Sequence, residues 1–275
     1  MEKLHLNPKY RITVIMAVYN CATTLHEALD SLYAQTYKNF KLILCDDAST
    51  DSTYKIAREY IERYDNITLL QNKKNMKLAA TLNRCLKYAD TEYIARMDGD
   101  DISLPTRFEK EISFLDQNPH ISIVSSAMIY FDEFGDYRES TPIQYPNKKD
   151  FIRGTPFAHA ACMVRSSAYF DVGGYDETIV RGQDYDLWFR MYAKGHKGFN
   201  INEPLYKMRD DKNAISRRKF KYRIMESLIR SRGFKMLNLP FYYQFYTLRP
   251  ILIGLLPKKI YTFLRRKQSN CRLLF

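Results

Sequence analysis

Cysteine is scarce in this chain of 275 residues: Cys21, Cys45, Cys85, Cys162 and Cys271 make five, an odd number with no C-x-x-C spacing. A stapled disulfide scaffold and a cysteine-based zinc site are therefore excluded. Four of the five lie within apolar segments and read as small core residues in a reducing compartment. No G-x-G-x-x-G and no G-x-x-x-x-G-K-[ST] follows any candidate strand, so dinucleotide-binding and P-loop readings lose their main support. The opening MEKLHLNPKYRITV has no apolar stretch long enough for a signal peptide, which predicts a cytoplasmic protein. Long hydrophobic runs are missing too. The aromatic-rich stretch Phe241 to Leu256 is broken by Arg249-Pro250 and is too short to span a bilayer core of about 30 Å.

What is present is ordinary globular composition, 45% hydrophobic and 27% charged, in a length that suits one large domain with an appendage. Its charge is uneven. From Lys207 onward there are 18 Lys and Arg against 3 acidic residues, leaving 25 against 28 before it, so the net +12 belongs to the C-terminal stretch. A basic, aromatic tail on a near-neutral body points to an anionic surface, either a membrane leaflet or nucleic acid.

Strand and helix patterns alternate four times in the first hundred residues. Ile12 to Val18 is a continuous apolar run of the kind buried on both faces of a parallel sheet. Thr24 and Glu27 form a capping-box pattern ahead of the apolar helical face Leu25, Ala28, Leu29 and Leu32. Further strands are predicted at Lys41 to Cys45, Ile67 to Leu70 and Tyr93 to Met97, with helices near 52–64 and 78–89 between them. This is the βαβ pattern of an open α/β sheet, whose ligands gather beyond the carboxyl ends of the strands. Three polar clusters fall at such ends: Tyr19-Asn20, Asp46-Asp47 and Asp98 to Asp101. Later, a helix is expected over 106–117, a long strand over 121–131 with a hairpin after it, a strand over 160–165, a short helix from Ser166 and a strong helix over 183–194.

The stretch YIARMDGDD spends a short apolar strand in three carboxylates, Asp98, Asp100 and Asp101, around Gly99. Carboxylates this close repel and raise one another's pKa, so a cation is expected among them. Oxygen ligands without His or Cys suit Mg²⁺ or Mn²⁺, and such an ion leaves positions for substrate phosphates. An isolated D-x-D also occurs as a solvated acidic turn. On the helix over 183–194, Asp184 shares a face with Leu187, Trp188 and Met191, a costly place for a carboxylate unless it projects into a cleft.

In order and spacing, ITVIMAVYN, the DDAST run at Asp46 to Thr50, RMDGDDISLPTRF, GGYDE and QDYDLWFR resemble the inverting family 2 glycosyltransferases of GT-A fold. The resemblance covers Ile12 to Arg209. It implies a Rossmann-like α/β fold with a mixed, mostly parallel sheet, a catalytic domain over 1–210 and a basic helical extension over 211–275. The nucleotide-binding half would be 1–101 and the acceptor-binding half 102–210.

The family pattern also implies roles. Asp47 would hydrogen-bond the uracil of a UDP-sugar, with Ala17 and Tyr19 lining the base pocket; the competing reading of Asp47 is a helix cap. Asp98 would sit near ribose and metal, Asp100 would coordinate the Mn²⁺ or Mg²⁺ ion, and Asp101 would support them or be a ligand itself. Asp184 would be the general base. Asp101, Gln183, Trp188 and His159 are candidates for donor or acceptor contact. His159 also fits a packed core residue, and Gln183 stands where many relatives carry Glu. No Q-x-x-R-W follows, which argues against a processive synthase.

The implied function is metal-dependent, inverting, non-processive transfer of a sugar to a glycan or lipid-linked acceptor in cell-surface polysaccharide synthesis. In the tail, a basic helix over 213–232 is expected, then an in-plane membrane-surface segment with Lys258, Lys259, Arg265, Arg266 and Lys267 against anionic lipid. A helical lid on the catalytic domain is the other reading. Nucleic-acid binding by the tail and nucleotidyl transfer compete with the whole scheme. A carboxylate-lined cleft repels a polyanion, so no nucleic-acid partner is expected.

Overall fold

An all-apolar strand can bury both faces only at the centre of a sheet, and β1 (Ile12–Val18) lies there in the computed structural model, which describes residues 9–210 and 220–255. Its alternate side chains enter two cores. Ile12, Val14, Met16 and Val18 pack on one face and Ile15 on the other. β2 (Phe40–Asp46) and β4 (Tyr93–Met97) flank β1 in parallel, and β3 (Ile67–Gln71) lies parallel outside β2. The connections are α1 (Leu25–Tyr33), α2 (Thr53–Arg63) and α3 (Leu78–Leu86). The chain therefore builds outward from β1 to β3, then returns to the other side of β1. Such a reversal opens a crevice at the carboxyl ends of β1 and β4.

Beyond β4 the sheet turns mixed. Its order is β3-β2-β1-β4-β8-β6-β9-β5, with β7 (Gly135–Glu139) hairpinned onto β6 (Ile123–Asp132). β8 (Met163–Arg165) runs antiparallel to β4 and β6, whereas β9 (Gly198–Arg209) runs parallel to β6 and antiparallel to the short β5 (Ile102–Ser103). The long ladders are parallel, as expected for a mixed α/β sheet. Because β8 opposes β4, the residues before it lie beside the end of β4: the Arg96 N–H donates to the Cys162 carbonyl at 3.0 Å. α4 (Arg107–Gln117), α5 (Ser166–Asp171) and α6 (Gln183–Ala193) cover the faces, close to the predicted helices.

Two features depart from the sequence reading. β9 is the longest strand among the described residues yet was not anticipated, because Asn202-Glu203-Pro204 interrupts its apolar pattern. The structure absorbs that interruption as an irregularity: the register with β6 jumps from Ser126↔Ile201 to Ala127↔Pro204. Proline is tolerated at such a break because no ladder donor is needed there. The capping box at α1 does not form. The Thr24 hydroxyl donates instead to the Gly99 carbonyl at 2.8 Å, and Glu27 pairs with Arg209.

The tail helix α7 (Phe220–Met236) packs on α6, with Ile229, Phe234 and Leu237 in the same core as Trp188 and Phe189. Three such side chains at about 2 kcal/mol each hold it firmly to the catalytic body. A Cβ at Gly233 would sit 2.3 Å from the Phe189 ring, so glycine permits this close approach. A 3₁₀ segment, Phe241–Leu248, and α8 (Arg249–Leu255) follow. Among the described residues no helix is long and apolar enough to cross a membrane. The part of the predicted basic helix before Phe220 lies outside the described residues, as do Lys258, Lys259, Arg265, Arg266, Lys267 and Cys271.

Candidate active site

The carboxyl edge of the first half is held by short-range hydrogen bonds between loops. Asn20, just beyond β1, takes a left-handed backbone (φ 51°) and accepts the Thr50 N–H at 2.8 Å, while its own N–H donates to Ser49 Oγ at 3.0 Å. Ala48 (φ 60°) and Lys77 (φ 71°) are also left-handed. Non-glycine residues in that region cost free energy and cluster where loops are shaped for ligands. Asp47 is 4% exposed and accepts from Asn72 Nδ2 and the Met76 N–H, each at 2.7 Å, and from the Lys77 N–H at 2.9 Å. Rather than cap α2, it fixes the loop between β3 and α3. Ala17 is half-buried at the end of β1 and Tyr19 is 48% exposed beside it, so both border the crevice.

At the end of β4 the three acidic side chains converge. Ligand atoms of Asp98, Asp100 and Asp101 all lie within 4.8 Å of one another. Their environments differ. Asp101 is buried and accepts the Arg209 N–H at 2.8 Å; burial, then the charges of Asp98 and Asp100, push its carboxyl up to about 8. Asp100 is exposed at the rim but walled by protein, and burial followed by the Asp98 charge raises its pKa. Asp98 is half-buried and takes both arms of the Arg96 guanidinium, Nη1 at 2.8 Å. Each carboxylate oxygen keeps a further lone pair beyond these bonds. Gly99 permits the turn: a Cβ there would lie 2.8 Å from Cys21 Sγ and 3.0 Å from Val18.

Several residues that build this turn escaped sequence reading. Arg96 is a cation in an otherwise apolar strand, 3% exposed, and a lone buried charge was itself a signal. Below it, Arg107 and Glu111 form a fully buried ion pair on α4. Arg107 Nη2 donates to the Arg96 and Cys162 carbonyls at 3.0 and 3.2 Å, clamping β4 to β8. Burial pushes Glu111 up to about 7, with Arg107 pulling the other way. The unanticipated β9 supplies the remaining clamps: Tyr206 OH accepts the Asp98 N–H at 3.2 Å, and Arg209 Nε donates to the Asp100 carbonyl at 3.0 Å.

Asp184 comes from the first turn of α6, which Gly182 starts with a left-handed backbone (φ 82°). Asp184 and Asp98 line one cleft of about 1040 Å³, and Arg96 and His159 line it too. Asp184 is half-buried in the cleft lining. Burial raises its carboxyl pKa, with local N–H groups and Arg96 opposing. Gln183 also lines the cleft and its Oε1 has no hydrogen-bond partner. His159 Nε2 pairs with Tyr175 OH at 2.8 Å, and burial, then the Arg96 charge, hold its imidazole well below the ordinary value. It faces Tyr175, Trp188 and Arg96, so it is neutral at physiological pH. Trp188 was a candidate ligand contact; it is 0% exposed, and its ring edge backs His159 and Phe157. It shapes the floor without reaching the cleft.

The acidic turn and Asp184 thus meet at one cleft, with the shaped loops at the carboxyl ends of β1 and β2. The sequence profile described as Glycosyl transferase family 2 matches residues 13–174. The putative glycosyltransferase EpsE of Bacillus subtilis (strain 168) is 42% identical over 258 residues, 93% of each chain. An Escherichia coli UDP-Gal:alpha-D-GlcNAc-diphosphoundecaprenol beta-1,3-galactosyltransferase is 30% identical over 224 residues, 80% of this chain and 81% of that one. Among solved structures, S. aureus TarS 1-349 in complex with UDP superposes with a TM-score of 0.69 at 18% identity, over 96% of this chain and 76% of that one, a likeness of GT-A fold. The chain is a glycosyltransferase and belongs to glycosyl transferase family 2.

Proposed function

We propose that the protein transfers a sugar from a UDP-sugar to a hydroxyl of a lipid-linked glycan in cell-envelope polysaccharide synthesis, in one inverting displacement. The observation that carries this reading is the pair of carboxylate stations on one cleft, Asp98 with its acidic neighbours and Asp184. The all-oxygen donor set of Asp98, Asp100 and Asp101 fits Mn²⁺ or Mg²⁺, and the raised pKa values of Asp100 and Asp101 mark negative charge that a cation relieves. Asp100 and Asp98 would hold the ion, with Asp101 behind them, and the ion would stabilise charge on the departing diphosphate.

Asp47, through the loop it fixes, together with Ala17 and Tyr19, would form the base site. Asp184 would accept the proton of the acceptor hydroxyl as that oxygen bonds to the anomeric carbon. The bond from that carbon to the diphosphate oxygen breaks on the opposite face, and its electron pair leaves with UDP. A carboxylate whose pKa is raised by burial is a stronger base than a solvated one, which suits the role. No covalent nucleophile is required.

The proposed acceptor is membrane-borne because the relative from E. coli is named for a diphosphoundecaprenol acceptor and because of the tail. In the 3₁₀ segment Tyr242, Phe245 and Leu248 fall on one face, and Leu252 and Leu255 on one side of α8, all between 49% and 70% exposed. Such a row beside basic sequence suits peripheral contact with an anionic leaflet from the cytoplasmic side. The test is thermal stabilisation across a panel of UDP-sugars with and without Mn²⁺. A metal-dependent shift with one of them, together with UDP release when acceptor is added, is expected. A shift only with nucleoside triphosphates or RNA would overturn the reading.

A further inference from the structure

The far side of the cleft is cationic. Its lining includes Arg153, Arg181, Arg223 and Arg230. Arg230 is committed, to Glu226 through Nη2 at 2.9 Å and to the Ile152 carbonyl through Nη1 at 3.0 Å. The nearby Asp150 accepts the Asn147 N–H at 2.7 Å. Arg153 and Arg181 are exposed, and among the described residues neither has a carboxylate within 4 Å. Arg181 is steered instead by the Tyr222 ring, 5.5 Å from its guanidinium, and Tyr222 neighbours Arg223 on α7. Arg153 and Arg181 leave planar guanidinium forks open to the cleft, and that fork matches phosphate oxygens.

We infer that Arg153 and Arg181 form a subsite for a diphosphate ester carried by the acceptor, a ligand distinct from the donor's own diphosphate. The inference rests on the transferase reading. The donor's diphosphate belongs with the acidic turn after β4. The two arginines come from elements of the second half: the turn after Ile152 and the loop before α6. Arg181 lies three residues before Asp184 and lines the same cleft, so a phosphate held there sits on the side from which the acceptor hydroxyl reaches the base. The ester's other end is also provided for. Arg249, at the start of α8, donates through Nη1 to the Arg153 carbonyl at 3.4 Å, which joins the arginine mouth to the segment bearing exposed Phe245, Leu248 and Leu252. A cationic centre next to an apolar row selects a diphosphate bearing a hydrocarbon chain.

The test is calorimetric titration of the full chain with geranyl diphosphate in EDTA, with geraniol and inorganic pyrophosphate as comparators. Binding of geranyl diphosphate that weakens with salt, is displaced by pyrophosphate, is not reproduced by geraniol, and falls at least about tenfold in Arg153→Ala/Arg181→Ala is the expected result. Binding must persist in Asp100→Ala. Retained melting temperature and retained UDP-sugar binding with Mn²⁺ show that the double variant is folded. Absence of geranyl diphosphate binding in the parent, indifference to the arginine substitutions, or loss in Asp100→Ala each overturns the subsite. If UDP-sugar binding is normal when this happens, the subsite alone fails; if UDP-sugars also fail to bind the parent, the transferase reading falls with it.

Discussion

The two walls of the cleft are built on opposite electrostatic plans. The wall at the end of β4 crowds three carboxylates around one glycine and is held by buried cations, Arg96 in front and Arg107 beneath. The wall made by the turn after Ile152, the loop before α6 and α7 carries Asp184 among arginines, with Asp150 and Glu226 hydrogen-bonded within it. The first wall is tied from two sides: Asp98 and Asp101 bond to β9, through Tyr206 and Arg209, and the Gly99 carbonyl accepts from Thr24 at the start of α1. The second is looser at its rim, where Arg153 and Arg181 are exposed. A fixed acidic station suits a constant donor diphosphate with its ion, and an open cationic rim suits an acceptor of variable shape. The difference teaches that donor binding and proton removal should separate under mutation.

The largest expected effect removes the acidic station. Asp100→Ala should lower turnover by about a thousandfold or more and abolish the metal-dependent part of donor binding, measured as UDP release and as a Mn²⁺-dependent thermal shift. On the other wall, Asp184→Asn should reduce kcat by about 10² to 10⁴ while leaving UDP-sugar affinity nearly unchanged. The pH profile sharpens this. A base acts only when ionised, and the Asp184 pKa is raised by burial, so activity should fall as pH drops through that raised value. That acid limb should be missing from the residual activity of Asp184→Asn.

Next comes the cation that holds the acidic wall. Arg96→Met keeps the bulk but leaves Asp98 without its charge partner beside two further carboxylates, a loss on the order of 3 kcal/mol. Its melting temperature should drop by several degrees, and Mn²⁺ should restore more stability to the variant than to the parent. A smaller effect is expected at the tail, where Phe245→Glu/Leu252→Glu should weaken sedimentation with anionic vesicles without changing UDP-sugar affinity. Smallest is His159→Asn. Because burial and Arg96 lower the imidazole pKa, the neutral form persists as pH falls through about 6.5, and the substitution should leave the shape of the kcat profile between about pH 6 and 7.5 unaltered.

The first half was largely legible in the sequence because its determinants are local. Apolar runs such as Ile12 to Val18 end in polar clusters, and the βαβ alternation then dictates that those clusters meet. Asp98, Asp100 and Asp184 could be named for the same reason: each breaks an apolar pattern at the point where an element begins or ends. What escaped was non-local. β9 hides behind Pro204, and its Tyr206 and Arg209 reach the acidic turn across 108 residues or more of chain. Thr24 had the spacing of a capping box, yet the Gly99 carbonyl, 75 residues away, competes better for its hydroxyl. Trp188 shared a helical face with Asp184, but helical periodicity does not tell a cleft from the core behind it.

The most direct measurement is calorimetric titration of one UDP-sugar, with Mn²⁺ present, into the parent, Asp100→Ala and Asp184→Asn. Binding lost in Asp100→Ala and preserved in Asp184→Asn, with both variants folded and strongly impaired in turnover, is the predicted result. Equal loss of binding in both variants, or binding untouched in Asp100→Ala, would contradict the division of the cleft into a donor wall and a proton-accepting wall.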